Sequence, residues 1–216
     1  MNILIMGPAG SGKGTMSSRI NEYFKVAHIS TGDMLRENVK NDTPLGHAAK
    51  DFMKEGRLVP DDLINEMVKE RIQESDTNFG YLMDGFPRTL VQARSFEVIT
   101  KEINKPVAIV INLKVDVDTL AGRITGRRVC KNCGAIYHIK SNPSKVEGVC
   151  DVCSSPIIQR SDDTLEQLQV RLKEHARNTE PVLDYYREKG LVVDIEASKP
   201  ADEVWEQIKQ AIEAIS

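Results

Sequence analysis

Met1-Asn2-Ile3-Leu4-Ile5-Met6 runs without a spacer into Gly7-Pro8-Ala9-Gly10-Ser11-Gly12-Lys13-Gly14-Thr15, and this stretch decides the fold. A short, nearly unbroken apolar run reads as a parallel strand with helices over both faces. The glycines that follow permit a tight turn with backbone N–H groups directed inward. Lys13 adds a point charge, and a helix starting near Lys13 aims the positive end of its dipole into the same hollow. Together these features form a seat for polyphosphate. The spacing Gly7-x4-Gly12-Lys13 matches the phosphate-loop pattern, with Gly14 displacing the hydroxyl residue to Thr15. The competing reading is a plain glycine turn. The amphipathic helix that follows, with Ile20 and Phe24 on one face, favours a nucleoside triphosphate site.

The rest of the composition fits such a domain. With 216 residues the chain accommodates one large α/β domain with small insertions, not two full domains. Its 40% apolar content suits a packed core and its 28% charged content a solvated surface. A net charge of −3 gives no general attraction to nucleic acid. The first apolar run is too short for a signal peptide and has no basic region before it. No stretch approaches the roughly 20 apolar residues of a membrane span. The expectation is a cytoplasmic protein.

Further strands are expected at Val26–Ile29, Tyr81–Asp84, Pro106–Leu113 and Leu191–Ile195, which with the first makes a parallel five-stranded sheet flanked by helices. Between the second and third strands lie only helices. Thr31 or Asp33 is expected to cap one, Thr43-Pro44 to open the next, and a third to run from about Pro60 to Glu74. A doubly wound fold needs one crossover helix there, so the surplus reads as an insertion over the sheet edge. Asp84 ends its strand beside the phosphate loop, where a carboxylate commonly orients magnesium or its waters; a structural turn residue is the plainer reading. Pro181 is expected to kink or break a long helix starting near Thr164. Val204, Ile208, Ala211, Ile212 and Ile215 form the apolar face of the last one.

All four cysteines fall in one stretch, Cys130-x2-Cys133 and Cys150-x2-Cys153. Two such knuckles can set four thiolates tetrahedrally around zinc, or a replacement such as iron. Disulfides suit an oxidising compartment, and redox Cys-x2-Cys motifs come singly. The thiolate set has no open position, so the metal is read as structural, giving a core to a segment too small to build one. His138 lies nearby, but four thiolates already fill the shell. Arg123, Arg127 and Arg128 precede this insert and Arg160 and Arg171 follow it, like a closing clamp on phosphate. With Arg36 and Arg88 they exceed what a triphosphate alone requires, which suggests that the acceptor also carries a phosphate. Such an acceptor oxygen is largely ionised at neutral pH and needs no strong base.

At this point the chain resembles the adenylate kinases, specifically the long form whose lid carries a zinc knuckle. The resemblance runs end to end through Gly7–Thr15, Thr31–Arg36, Asp84–Arg88, Gly126–Arg128, the four cysteines and Arg160–Asp163. It implies ATP on Gly10, Ser11, Gly12, Lys13, Gly14 and Thr15, completed by Arg127, Ile136 and Tyr137, with the Lys199 backbone near the adenine. It implies AMP on Thr31, Arg36, the backbone of Arg57, Leu58 and Val59, then Gly85, Phe86, Pro87, Arg88, Gln92, Arg160 and Arg171. Lys13, Arg88, Arg123, Arg160 and Arg171 would neutralise the phosphates in flight, and Asp84 would hold water on magnesium. Zinc would sit on Cys130, Cys133, Cys150 and Cys153. The resemblance further implies a core of residues 1–29, 60–125 and 164–216, a mobile NMP-binding segment at 30–59 and a lid at 126–163.

Two departures stand out: Pro8 and Ala9 replace the family's usual order, and Met16 stands where glutamine is common. Met53 is read equally as packing or base contact, and Asp162 and Asp163 as a helix cap. The expected substrates are ATP, AMP and ADP, acting on a monomer without nucleic acid or membrane. A UMP or CMP kinase of the same fold is the alternative. A zinc-ribbon nucleic-acid module is the third reading, disfavoured by the acidic balance and by Tyr137 being the ribbon's one aromatic.

Overall fold

A computed structural model describes residues 1–215. The chain runs through β1 (Asn2–Met6), α1 (Lys13–Phe24), β2 (Ala27–Ser30), α2 (Thr31–Lys40), α3 (Pro44–Lys54) and α4 (Asp61–Arg71). It continues through β3 (Tyr81–Asp84), α5 (Leu90–Glu102), β4 (Ile109–Lys114), α6 (Val117–Gly126), β5 (Arg127–Cys130), β6 (Ile136–His138) and β7 (Ile157–Ile158). It closes with α7 (Leu165–Glu174), α8 (Glu180–Arg187), β8 (Val192–Glu196) and α9 (Ala201–Glu213).

The main sheet has five parallel strands in the order β2-β3-β1-β4-β8, and β6-β5-β7 form a small antiparallel sheet. Alternate residues of β1 feed opposite cores. Leu4 and Met6 join Met83, Phe86, Phe96 and Val110, whereas Ile3 and Ile5 join Ile20, Leu82, Ile111 and Ile208. Both faces of the sheet are therefore buried, which explains the unbroken apolar run. β2 is an edge strand, and α2, α3 and α4 follow it before the chain returns as β3, with Leu35 of α2 and Ala49 of α3 buried in the larger core.

Several boundaries differ from expectation for identifiable reasons. Ser30, not Thr31 or Asp33, caps α2, its hydroxyl accepting from the Asp33 N–H. The third helix of the insert stops at Arg71; the buried Thr77 hydroxyl donates to the Ile72 and Glu74 carbonyls and seats a 3₁₀ turn at Ser75–Phe79. Pro106 lies outside β4, whose ladder begins with the Ala108 N–H donating to the Asn2 carbonyl. Pro181 neither breaks nor ends its helix. A π-helical turn at His175–Thr179 joins α7 to α8, and Pro181 falls in the first turn of α8, where its missing N–H costs little. Ile215 lies past the end of α9 and is exposed, while Val204, Ile208 and Ile212 are buried. Met53 packs against the larger core.

An aromatic cluster ties this core to the turn after β3. The Phe96 ring meets Phe86 edge-on at 5.2 Å and Tyr81 at 5.9 Å, and all three side chains are fully buried. Phe96→Ala is expected to destabilise the fold by about 3–5 kcal/mol, read as a lowered denaturation midpoint at unchanged m-value. A loss below about 1 kcal/mol would show that the cluster repacks.

Candidate active site

The phosphate loop leaves β1 through Gly7, Gly10 and Gly12, whose φ angles of 140°, 85° and 97° only glycine adopts without strain. Gly7 also passes so close to β4 that a Cβ there would lie 2.7 Å from the Leu113 carbonyl oxygen. Gly12 sits at the N-cap of α1 with no side-chain cap. The first N–H groups of that helix therefore remain available to an anion. Lys13 Nζ donates to the Gly7 and Pro8 carbonyls at 2.8 and 2.9 Å, folding its ammonium over its own loop. Burial lowers its pKa to about 8; Asp84 opposes the shift, while Arg88, Arg127 and Arg171 reinforce it. Asp84 ends β3 beside β1, with the Ser17 hydroxyl 3.5 Å and His28 Nε2 3.9 Å from its Oδ2.

Arginines from separate elements converge above this loop. Arg123 on α6 donates to the Ser11 carbonyl at 3.5 Å. Arg127 on β5 forms a two-point pair with the fully buried Asp163, and Arg171 on α7 pairs with Asp162. Arg160 lies 3.6 Å from Asp33, which also holds Arg36 at 2.5 Å. Burial first, then repulsion from Arg127, Arg88, Arg36 and Arg160, lowers Arg171 to about 9. The same two causes lower Arg160 to about 10. Guanidinium groups keep their charge at neutral pH. Crowded and half out of water, these cations favour an anion between them. Burial, with Lys13 and Arg88 near, lowers His175 to about 4 and keeps it neutral.

A second group of polar side chains gathers on the turn after β3. Gly85 has φ 81°, and the Phe86–Pro87 peptide is cis. Phe86 and Pro87 are buried and shape the turn. The Thr31 hydroxyl donates to the Gly85 carbonyl at 3.0 Å, and Arg88 Nε donates to the same oxygen at 2.7 Å. Gln92, buried on α5, accepts from the Arg88 N–H at 2.7 Å. The Arg57 guanidinium stacks on Phe52 and pairs with Glu55; Leu58 is half-buried and Val59 is buried against the larger core.

Several elements that are remote in sequence approach one another near the phosphate loop. The contact between Arg160 and Asp33 links the segment carrying the cysteines to α2. A Cβ on Gly56 would lie 2.5 Å from Gln167 Oε1 of α7, and one on Gly14 would lie 2.6 Å from Ile136 Cδ1. Tyr137 is turned inward: its hydroxyl contacts Cys150 Sγ at 3.3 Å and accepts from the Asp151 N–H at 2.8 Å. Only its backbone remains for a nucleotide. Lys199 is exposed in the turn between β8 and α9.

The four cysteine sulfurs lie within 4.8 Å of one another. The Cys130–Cys153 and Cys133–Cys150 sulfurs approach to 3.4 and 3.6 Å. A tetrahedral zinc site with Zn–S near 2.3 Å has S–S edges of about 3.8 Å. The donor set and its spacing therefore fit zinc or another thiophilic metal. The Asn132 and Cys133 N–H groups donate to Cys130 Sγ at 3.4 Å. His138 is no ligand: Nδ1 accepts from the Lys140 and Ser141 N–H groups, which leaves Nε2–H to donate to the Gly122 carbonyl.

The adenylate kinase family model matches residues 5–191. The chain is 48% identical over 213 residues to an adenylate kinase of Carboxydothermus hydrogenoformans, covering 99% of this chain and all of that one. It is 46% identical to one of Caldanaerobacter subterraneus over 98% of this chain and 96% of the relative. It is 45% identical to one of Archaeoglobus fulgidus over 100% and 99%. The chain belongs to the adenylate kinase family.

Two expectations for this family site need correction. Asp162 and Asp163 are not a helix cap: Thr164 caps α7, and the two carboxylates hold Arg171 and Arg127. Arg128 is not part of the clamp, because its guanidinium donates to the Thr125 and Arg127 carbonyls and terminates α6. Asp33, Asp61 and Ser17 were not singled out from the sequence as site residues; a short carboxylate or hydroxyl carries no local signal of a partner far along the chain.

The lowered Lys13 pKa has a measurable consequence. A triphosphate favours the charged ammonium, so binding takes up a proton above pH 8 and weakens as pH rises. The Kd of a non-hydrolysable ATP analogue is expected to rise up to about 10-fold per pH unit between roughly pH 8 and 10. Lys13→Met is expected to bind weakly with no such slope. A flat profile for the native protein would overturn this assignment.

Proposed function

We infer that the protein catalyses reversible transfer of the terminal phosphoryl group of magnesium-bound ATP to AMP, giving two ADP. The observation that carries this reading is the convergence of Arg36, Arg88, Arg123, Arg127, Arg160 and Arg171 above a phosphate loop. These are more cations than one triphosphate needs. An oxygen of the AMP phosphate attacks the γ-phosphorus in line as the bond to the β-bridging oxygen breaks and ADP departs. That nucleophile is already ionised, which agrees with a cleft in which no side chain is placed as a base. Bound magnesium would supply further charge neutralisation to the phosphates. Asp84, whose carboxylate meets the Ser17 hydroxyl, would hold its water.

Lys13 and the α1 N-terminus would seat the donor phosphates, with Arg123 and Arg127 beside them. Arg36 and Arg88 would grip the acceptor phosphate, and Arg160 and Arg171 would lie between the two. Thr31 and Gln92 support adenine on the acceptor side. The segments 30–59 and 126–163 would open for exchange and close to exclude the water that would otherwise hydrolyse ATP. Zinc would give the lid the core its side chains do not supply. No helix among the described residues is long and apolar enough to cross a membrane. A cytoplasmic monomer is the state that leaves both segments free to move.

Magnesium-dependent transfer from ATP is expected to be fast with AMP and slow with UMP, CMP and GMP. A preference for UMP or CMP would keep the mechanism and change the acceptor. No transfer to any monophosphate would overturn the reading. Arg123→Ala is expected to lower kcat by about 100-fold or more with smaller changes in KM. A purified preparation should hold one zinc per chain. Its removal by a chelator under reducing conditions should lower Tm by several degrees and cut turnover, with both recovered when zinc is restored.

A further inference from the structure

We propose that Asp61 is a positioning residue that sets which way the Gln92 amide faces, and so decides which acceptor bases the protein takes. This rests on the reading of Gln92 as a base contact. Asp61 is the first residue of α4, and its carboxylate reaches across to the start of α5. Oδ1 accepts from Gln92 Nε2 at 2.8 Å, and Oδ2 accepts from the Thr89 hydroxyl at 3.0 Å. The same Thr89 oxygen caps α5 by accepting from the Gln92 N–H at 3.1 Å. On the other side of the amide, Gln92 Oε1 accepts from the Arg88 N–H at 2.7 Å.

This arrangement permits one amide orientation. A carboxylate only accepts and a backbone N–H only donates. A flipped Gln92 would set its oxygen against Asp61 and its NH2 against the Arg88 N–H, and both contacts would become repulsive. Gln92 is 2% exposed, so bulk water cannot compensate. A primary amide has two donors and two lone pairs. Asp61 and Arg88 take one of each, which leaves one N–H and one lone pair on sides fixed by Asp61. Adenine and cytosine present an amino donor next to a ring-nitrogen acceptor. Uracil and guanine present an oxygen acceptor next to a ring N–H. A fixed amide matches one pattern and opposes the other. Polar mismatch in a buried site gives strong discrimination.

Asp61→Leu tests this, because the replacement is similar in size but accepts from neither Gln92 Nε2 nor the Thr89 hydroxyl. Asp62→Leu is the control: it removes the same charge from the same first helical turn, at an exposed residue. Initial rates would be measured for all four monophosphates at saturating ATP, and the KM for ATP at saturating AMP. Asp61→Leu is expected to raise the KM for AMP about 10-fold or more. It should narrow the ratio of AMP and CMP to UMP and GMP, with the KM for ATP within about twofold of native. Asp62→Leu should match the native protein throughout.

An Asp61→Leu protein with native selectivity overturns the proposal. So does one whose affinities for AMP and ATP fall together, since that marks a merely structural role. If the native protein itself does not favour AMP, it is the function reading that fails, and this is visible before any variant is made. Should Asp61→Leu fail to fold, the native protein still decides. One Gln92 side-chain NH2 proton is expected to resonate downfield and to exchange slowly with solvent, as a donor to a buried carboxylate does. A shift and an exchange rate like those of an exposed glutamine would overturn the proposal.

Discussion

Like charges crowd at the carboxyl ends of β1 and β3. There burial, reinforced by Arg88, Arg127 and Arg171, lowers the proton affinity of Lys13, and burial with Arg127, Arg88, Arg36 and Arg160 lowers that of Arg171. A cluster of this kind would push itself apart in the open. It holds because Asp162 and Asp163 each grip an arginine, Asp33 draws in Arg36 and Arg160, and Lys13 is tied to its own loop carbonyls. Each of these anions is weaker competition than a polyphosphate, whose several charged oxygens can engage many of the cations together. The cleft is thus ordered in advance by partners that substrate can replace. This is the condition for electrostatic stabilisation of phosphoryl transfer without reorganisation at the moment of reaction.

The sheet exists to place that cluster. Its parallel strands all end on one side, so the loop after β1, the carboxylate ending β3 and the turn that follows share one crevice. The aromatic packing of Phe86 on Phe96 anchors the turn carrying Arg88, and the Asp61 network fixes the start of the following helix. The inserts are lightly built by comparison. The lid's own core is a small cluster of two cysteines and Tyr137 with a few partly buried neighbours. With so few buried side chains, the four sulfurs that converge there are the largest shared feature of that core, and their spacing fits a metal.

Much of the site was legible because its signals are local. The phosphate loop is contiguous, and its glycines answer to φ values and close approaches within a few residues. The cysteine spacing reflects knuckle geometry that repeats wherever thiolates must converge. Helix ends were less legible. Ser30 and Thr31 are equally good caps in sequence, and only the path of β2 decides that Ser30 is the residue with extended backbone. The turn at His175–Thr179 escaped for a similar reason. Proline announces a disturbance, but whether the chain bends or absorbs it in a π-turn depends on what packs around it.

By itself the sequence determined the strand and loop that seat phosphate, the four-thiolate lid and the excess of arginines. Each is carried by neighbours along the chain or by a short fixed spacing. Only the tertiary structure decided which arginines face the cleft and which carboxylates hold them. It sent Arg128 to close α6, joined Arg160 to Asp33, and set Asp61 against Gln92. The physical reason is distance along the chain. A charge shows its sign in the sequence, but its partner is chosen when loop closure brings remote segments within hydrogen-bond reach and burial removes the water that would otherwise satisfy both.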